Sequence, residues 1–278
     1  MIRFSCADFT FPVLPHEKVL ALLELMDFRL VDIGLFADRS HLQPADQLDQ
    51  PEKRGKKLRQ KAESHRLEIS DVFLQSSLDF REYAINHTDS AIRASERERF
   101  KRLVEYGLAA NCRHISGLPG VRFDENSGAI CLEEMAWRLE LSRKLGITYA
   151  VEPHFGSIME KPEHAVELLK ALPGMSIALD HSHYTAQGFE IEMLRPLAAF
   201  ASHVHARGAA KGEIQTSVAR NETDFEAVAR HLREAEYDGV ICMEYCYIDW
   251  ENLNRTDNVS ETLLLRNRLS ALISANSP

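Results

Sequence analysis

The sequence predicts a closed barrel of eight parallel strands and eight helices, a (β/α)8 fold, in a single domain over residues 1–278, and three observations lead there. Short β-branched or apolar runs alternate with stretches of helical spacing eight times along the chain, as parallel strands joined by helical crossovers do. The length of 278 residues fits one such barrel, and no low-complexity linker or break in composition divides it. An open doubly wound sheet would carry a Gly-rich phosphate turn after its first strand, yet "SCADFTF" holds no glycine.

The units follow in order. "IRFSCA" (2–7) is the first strand, with a helix in "PHEKVLALLELM" (15–26). "FRLVDIGLF" (28–36) and "QPEKRGKKLRQKAESH" (50–65) form the second unit; "LEISDVFLQ" (67–75) and "SAIRASERERFKRLVEYGLAA" (90–110) form the third. "CRHISGL" (112–118) precedes "CLEEMAWRLELSRKLG" (131–146), where Gly146 stands at the expected helix stop. "ITYAVEP" (147–153) precedes "KPEHAVELLKAL" (161–172), with Pro162 in the first helical turn. The last three units pair "MSIALDH" (175–181) with "IEMLRPLAAFA" (191–201), "ASHVHAR" (201–207) with "DFEAVARHLREAE" (224–236), and "GVICMEY" (239–245) with "DNVSETLLLRNRLSALIS" (257–274).

Composition narrows the function. A net charge of −9 opposes general attraction to phosphate backbones, so no nucleic acid partner is expected. The N-terminus is broken by Asp8, Pro12 and Pro15 and lacks the build of a secretory signal, and no apolar run is long enough to span a bilayer. A soluble, cytoplasmic protein with no membrane partner follows. Cys6, Cys112, Cys131, Cys242 and Cys246 are scattered without a CxxC pair, which suits reduced thiols acting as small apolar residues.

In a barrel of this type the chemistry sits at the C-terminal ends of the strands. Strand five ends with Glu152 and His154, strand six with Asp180, His181 and His183, strand seven with His203, His205 and Arg207, and strand eight with Glu244. Taken alone, Asp180 reads as a helix N-cap, Glu152 as a solvated loop residue, and either strand-seven histidine as a satisfied core residue. Four such coincidences at four successive strand ends favour a metal site made of Glu152, Asp180, His205 and Glu244. This oxygen-rich set suits one Mn²⁺ or Mg²⁺, with Co²⁺ or Zn²⁺ as further options. Without a cation three buried carboxylates would repel one another.

The two-residue strand period puts His203, His205 and Arg207 on one face, with His205, nearer the strand end, as ligand and His203 as a hydrogen-bonded partner beneath it. His154, His183 and Arg207 are candidate substrate contacts. Phe9 and Trp250 are candidate pocket aromatics that also read as simple packing. His181 and Lys211 read as surface residues.

At these residues the chain resembles the xylose isomerase-like TIM barrels, also described as the sugar phosphate isomerase/epimerase and AP endonuclease family 2 group. The resemblance runs from "FRLVDIGLF" to "MEYCY". It implies a catalytic divalent metal on Glu152, Asp180 (with His183 three residues on), His205 and Glu244. It also implies a reaction that acidifies a C–H beside a carbonyl to give an enediolate, with Glu152 and Glu244 as the acid/base pair. The activity so implied is a sugar isomerase or epimerase. The alternative is a lyase, a dehydratase, decarboxylase or deglycosidase on a keto-sugar or keto-acid. A nuclease is disfavoured, because "FLQSS", "SGLPG" and the stretch after strand seven lack the extra histidine and aspartate ligands of the DNA-repair branch. The expected partner is a small carbohydrate; the oligomeric state is left open, a homo-oligomer among the options. The stretch after strand eight has no glycine and little positive charge, while "ARGAAKGEIQ" after strand seven holds Gly208, Gly212, Arg207 and Lys211. On balance an unphosphorylated substrate is expected, with Arg207 contacting a hydroxyl or carboxylate.

Overall fold

In the computed structural model, which describes residues 2–275, all eight expected strands form and close into a parallel barrel. The chain runs through β1 (Arg3–Ala7), a 3₁₀ turn at Asp8–Thr10, α1 (His16–Leu25), β2 (Leu30–Phe36), α2 (Pro44–Asp49), α3 (Pro51–Ser64) and β3 (Glu68–Gln75). It continues with α4 (Ser90–Ala109), β4 (His114–Gly117), α5 (Ser127–Lys144), β5 (Thr148–Val151), α6 (Pro162–Ala171) and β6 (Ser176–Asp180). The last part comprises α7 (His181–Gln187), α8 (Arg195–Ala198), β7 (Ala201–Ala206), β8 (Gly208–Ala210), β9 (Glu213–Thr216), α9 (Phe225–Glu234), β10 (Val240–Met243) and α10 (Asn258–Ser274). Around the barrel the order is β1, β10, β7, β6, β5, β4, β3, β2. Among the described residues no helix is long and apolar enough to cross a membrane.

The helical layer departs from eight simple crossovers. Pro51 starts a new helix, so the second crossover divides into α2 and α3. The sixth crossover starts at His181 as the short α7; the expected helix 191–201 shrinks to a 3₁₀ turn, Ile191–Leu194, followed by α8 with Pro196 in its first turn. After β7 an antiparallel hairpin, β8 and β9, stands where a loop was expected, its turn made possible by Gly212 at φ +81°.

The main apolar core lies between strands and helices and includes Leu20, Leu23, Ile33, Val72, Leu103 and Leu179. Inside the barrel polar and apolar groups share the space. Asp71 accepts from His114 Nδ1 at 2.6 Å and from Ser116 Oγ at 2.5 Å, and His114 Nε2 lies 2.9 Å from Ser202 Oγ. A small cluster of Phe9, Phe36, Phe73, Cys242 and Cys246 fills the upper end. All five cysteines are buried and free.

The contact of α3 with α4 depends on Gly55, where a Cβ would stand 2.5 Å from the Tyr106 carbonyl oxygen and 2.8 Å from Ala109 Cβ. Alanine improves helix propensity by about 1 kcal/mol, but overpacking against a backbone carbonyl costs ~1–3 kcal/mol. Gly55→Ala is therefore expected to lower the urea midpoint by an amount equivalent to about 1–2 kcal/mol at unchanged m. A raised midpoint would show that α3 moves freely off α4.

Candidate active site

The site forms where β5, β6, β7 and β10 end side by side. Glu152 and Glu244 each follow a strand directly, and their amides still belong to the ladder: Glu152 N donates to Gly117 O at 2.9 Å, Glu244 N to Ala206 O at 3.0 Å. Registers of Asp180 with His205 and of Cys242 with His205 place the imidazole between β6 and β10. Each backbone is thus fixed before any side chain is placed.

Glu152, His205 and Glu244 bring one ligand atom apiece to within 4.8 Å of one another, all buried. His205 Nδ1 lies 2.6 Å from Glu152 Oε1 and 3.7 Å from Glu244 Oε2. Asp180 plays two parts. Its Oδ1 accepts from Ser182 N at 2.8 Å and caps α7, while its Oδ2 accepts from Arg207 Nη2 at 2.8 Å. The cap reading and the site reading of this residue therefore hold together.

Arg207 is buried across the site. Besides Asp180 its Nε donates to Ser182 Oγ at 2.8 Å and its Nη1 to Cys246 Sγ at 3.2 Å, with Glu244 Oε2 3.9 Å away. Burial would raise Asp180, but the guanidinium outweighs it and holds the carboxyl down at about 2. Burial pushes Glu244 up to about 7, with the Glu152 and Asp180 carboxylates adding to the rise against His205 and Arg207. Burial opposes a charge on His205, yet Glu244 and Glu152 raise its pKa well above the ordinary value. Burial likewise works against Glu152, whose pKa is lowered by the hydrogen bond from His205.

Glu244 Oε2 is buried without a hydrogen-bond partner among the described residues. An orphaned carboxylate oxygen facing a second carboxylate and an imidazole fits a divalent cation, which the set of oxygen and nitrogen donors would hold. Asp180 stands beside this trio, in reach of Glu152 and His183, with one oxygen shared with Arg207.

Below His205, His203 Nε2 donates to Asp32 Oδ2 at 2.6 Å and Ser70 Oγ donates to Asp32 Oδ1 at 2.5 Å. Asp32 Oδ2 also lies 3.9 Å from His205 Nε2. At that distance the carboxylate acts on His205 through its charge, its hydrogen bond being made with His203. Reading only strand ends five to eight passed over Asp32 and Asp71. Their signal was a lone acid inside an apolar strand, "LVDIGLF" and "EISDVFL".

The mouth opens into a cavity of about 510 Å³, within the usual span for small-molecule sites. Phe80, Phe155, Ile214, Ile248 and Leu253 give it an apolar wall; Arg39 and Gln75 stand opposite the metal-type cluster as polar lining that the strand-end reading also passed over. His154 and His183 line it too. His154 Nδ1 contacts Phe155 O at 2.7 Å, so in the neutral ring, which burial favours, the proton sits there and the buried, unpartnered Nε2 is a free acceptor. Phe155 N donates to His183 Nδ1 at 3.3 Å. Phe9 is buried against Phe36 and Trp250 is 64% exposed, and neither lines the cavity. Lys211 is exposed as expected, but His181 is not a surface residue. Because α7 begins at His181, the ring turns under the helix to a buried place near His231, and burial lowers its pKa to about 4.

Removing the Arg207 charge leaves Asp180 buried without its guanidinium partner, held by the Ser182 amide at 2.8 Å and with His183 Nε2 3.6 Å away. In metal-free protein Arg207→Met is expected to lose about 3–5 kcal/mol, as when one partner of a buried pair is deleted. Denaturant titration in a chelator checks this. A loss below about 1 kcal/mol, the range of exposed pairs, would show that Asp180 has another counterion.

The family profile of xylose isomerase-like TIM barrels matches residues 20–267. No curated protein gives a sequence match. Among solved structures the chain is similar to D-psicose 3-epimerase from Clostridium cellulolyticum H10, solved with D-tagatose, at TM-score 0.78 and 12% identity, covering 98% of this chain and 99% of that one. It is also similar to a probable 3-DHS dehydratase involved in petrobactin synthesis from Bacillus anthracis (TM-score 0.70, 13% identity, 96% and 100% covered). A third is an AP endonuclease, family 2, from Brucella melitensis (TM-score 0.72, 19% identity, 96% and 99% covered). Three different chemistries on one fold leave the activity to be argued from the site. The chain belongs to the xylose isomerase-like TIM barrel family.

Proposed function

We propose that this protein is a divalent-metal-dependent isomerase or epimerase that removes a proton from the carbon beside the carbonyl of a small, unphosphorylated polyhydroxy carbonyl compound and returns one, to the neighbouring carbon (isomerase) or to the opposite face of the same carbon (epimerase). The observation that carries the reading is the convergence of Glu152 and Glu244 on His205, with one Glu244 oxygen left unpartnered. The epimerase named above, similar in fold, agrees with it. A bound Mn²⁺ or Mg²⁺ would supply Lewis-acid polarisation of a carbonyl oxygen, held by Glu152, His205 and Glu244 with Asp180.

The chain's own residues supply the rest. Glu152 and Glu244 come from strands separated by β6 and β7, so their carboxylates flank the cavity floor and address a C–H from two directions. His154 Nε2 accepts from a substrate hydroxyl. Arg207 holds Asp180 in place, and the apolar wall excludes water from the reacting carbon.

The engagement of the amides after β7 supports a neutral or carboxylate-bearing sugar over a phosphate ester. Backbone amides after β7 are already used: Gly208 N donates to Tyr245 Oη, Ala209 N to Asn221 Oδ1, Lys211 N to Glu222 Oε2 and Gly212 N to Ala186 O. No row of free donors remains there for an anion. The buried free cysteines suit a reducing, cytoplasmic setting.

Solvent deuterium uptake into a panel of ketoses and keto-sugar acids, followed by NMR with product analysis, tests the reading. Uptake beside the carbonyl is expected, falling at least about 100-fold in Glu152→Gln and in Glu244→Gln, the usual size of a lost acid/base group. Either variant exchanging at the wild-type rate would remove that glutamate from proton transfer. Loss of water, carboxylate or an aglycone in place of exchange would move the protein to the lyases.

A further inference from the structure

We infer that the substrate of this site carries a carboxylate, and that Arg39 binds it. The inference rests on the cavity being where a polyhydroxy carbonyl compound sits, and it adds a charge to that compound. Arg39 stands just beyond β2 on the cavity wall. Its guanidinium lies over the Phe36 ring, 4.6 Å from the centroid, and its Nη2 donates to Gln75 Oε1 at 2.6 Å. Phe36 and Gln75 are both buried. A stack and a hydrogen bond fix the plane of the fork without consuming its charge.

Among the described residues no carboxylate oxygen comes within 4.0 Å of an Arg39 nitrogen. The contrast with Arg207 in the same cavity is direct, since Arg207 is buried and engaged with Asp180, Ser182 and Cys246. A guanidinium keeps five N–H donors, and Arg39 gives one direction to Gln75. The remaining edge is a planar, pre-oriented pair of donors on the wall of a cavity, the geometry that carboxylates bind bidentately. Gln75 Nε2, on the same wall and without a partner among the described residues, adds donors beside it. A phosphate would want a cradle of amides, and those of the β8–β9 hairpin are taken.

One feature works against an anion here. Glu251 lines the same cavity, exposed on its rim, and its charge repels a carboxylate. The ligand class that reconciles these groups is a keto-sugar acid: hydroxyls and carbonyl toward the metal-type cluster, carboxylate toward Arg39.

The test compares two ketose and uronate pairs, D-fructose with D-fructuronate and D-tagatose with D-tagaturonate, whose members differ by CH₂OH against COO⁻. Calorimetric affinities for the full chain are expected to favour at least one uronate over its parent sugar by about tenfold or more. Arg39→Gln is expected to bring that ratio close to one. Arg39→Lys, which keeps the charge and loses the fork, should fall between, and urea midpoints of both variants check that they fold. A preference for the neutral sugars, binding of neither class, a ratio unchanged in Arg39→Gln, or tighter binding of fructose 6-phosphate than of either uronate would overturn the inference. Deuterium exchange on the same compounds separates it from the proposed activity. Arg39-dependent uronate binding without exchange keeps the carboxylate site and removes the isomerase; exchange that is equal on sugar and uronate does the reverse.

Discussion

Three carboxylates share the mouth of one barrel, and the neighbouring structure is arranged around their charge. Ligand atoms of Glu152 and Glu244 lie within 4.8 Å, where two unit charges repel by about 3–4 kcal/mol at an effective dielectric near 20. Asp180 adds a third charge. Two devices inside the protein answer it: Arg207, which grips Asp180, and His205, which bonds Glu152. Glu244 is left with an oxygen that has no hydrogen-bond partner among the described residues, with His205 and Arg207 3.7 and 3.9 Å away. A mouth built this way leaves a donor set of two carboxylates and an imidazole that could hold a small divalent cation.

The layer beneath follows from the same constraint. His205 must present one nitrogen upward, and Asp32 with His203 stands at its other side. Asp32 is itself buried, and His203 and Ser70 hold it ionised, well below the usual carboxylate range against the effect of burial. Further down, Asp71, His114, Ser116 and Ser202 repeat the arrangement. Asp32 and Asp71 each have hydrogen-bond partners on other strands, so the pairs tie strands across the barrel. Leaving one buried polar group unsatisfied would cost ~1–3 kcal/mol, which gives these residues a structural reason to be kept beyond any catalytic one.

How much of this is legible in the sequence depends on whether a residue lies in a repeating pattern. All eight strands were readable, because each is a short apolar run bounded by helical spacing. Glu152, Asp180, His205 and Glu244 were readable because they recur at one end of successive strands, and the fold brings them to one mouth. The hairpin of β8 and β9 was not, since "GAAKGEIQT" has neither a long apolar run nor clean alternation. The burial of His181 was hidden because it depends on where α7 begins. Arg39 lies three residues past β2 and Gln75 ends β3, where a lone Asp38 and a glutamine do not repeat the acid and imidazole pattern of the other four strand ends; only the closed barrel shows that both face the same cavity. Asp32 and Asp71 carried a signal of their own, an acid within a buried strand, which reading only the ends does not use.

The fold serves epimerases, a dehydratase and an endonuclease-named protein among its structural neighbours, so the weight of this account rests on the cation. Anomalous diffraction from crystals grown with Mn²⁺ tests it most directly. The account predicts one strong anomalous peak per chain in contact with Glu152, His205 and Glu244, with Asp180 adjoining. Ordered side chains at those four positions with no peak between them, or a peak at another cluster such as Asp32, His203 and Cys242 instead, would contradict it.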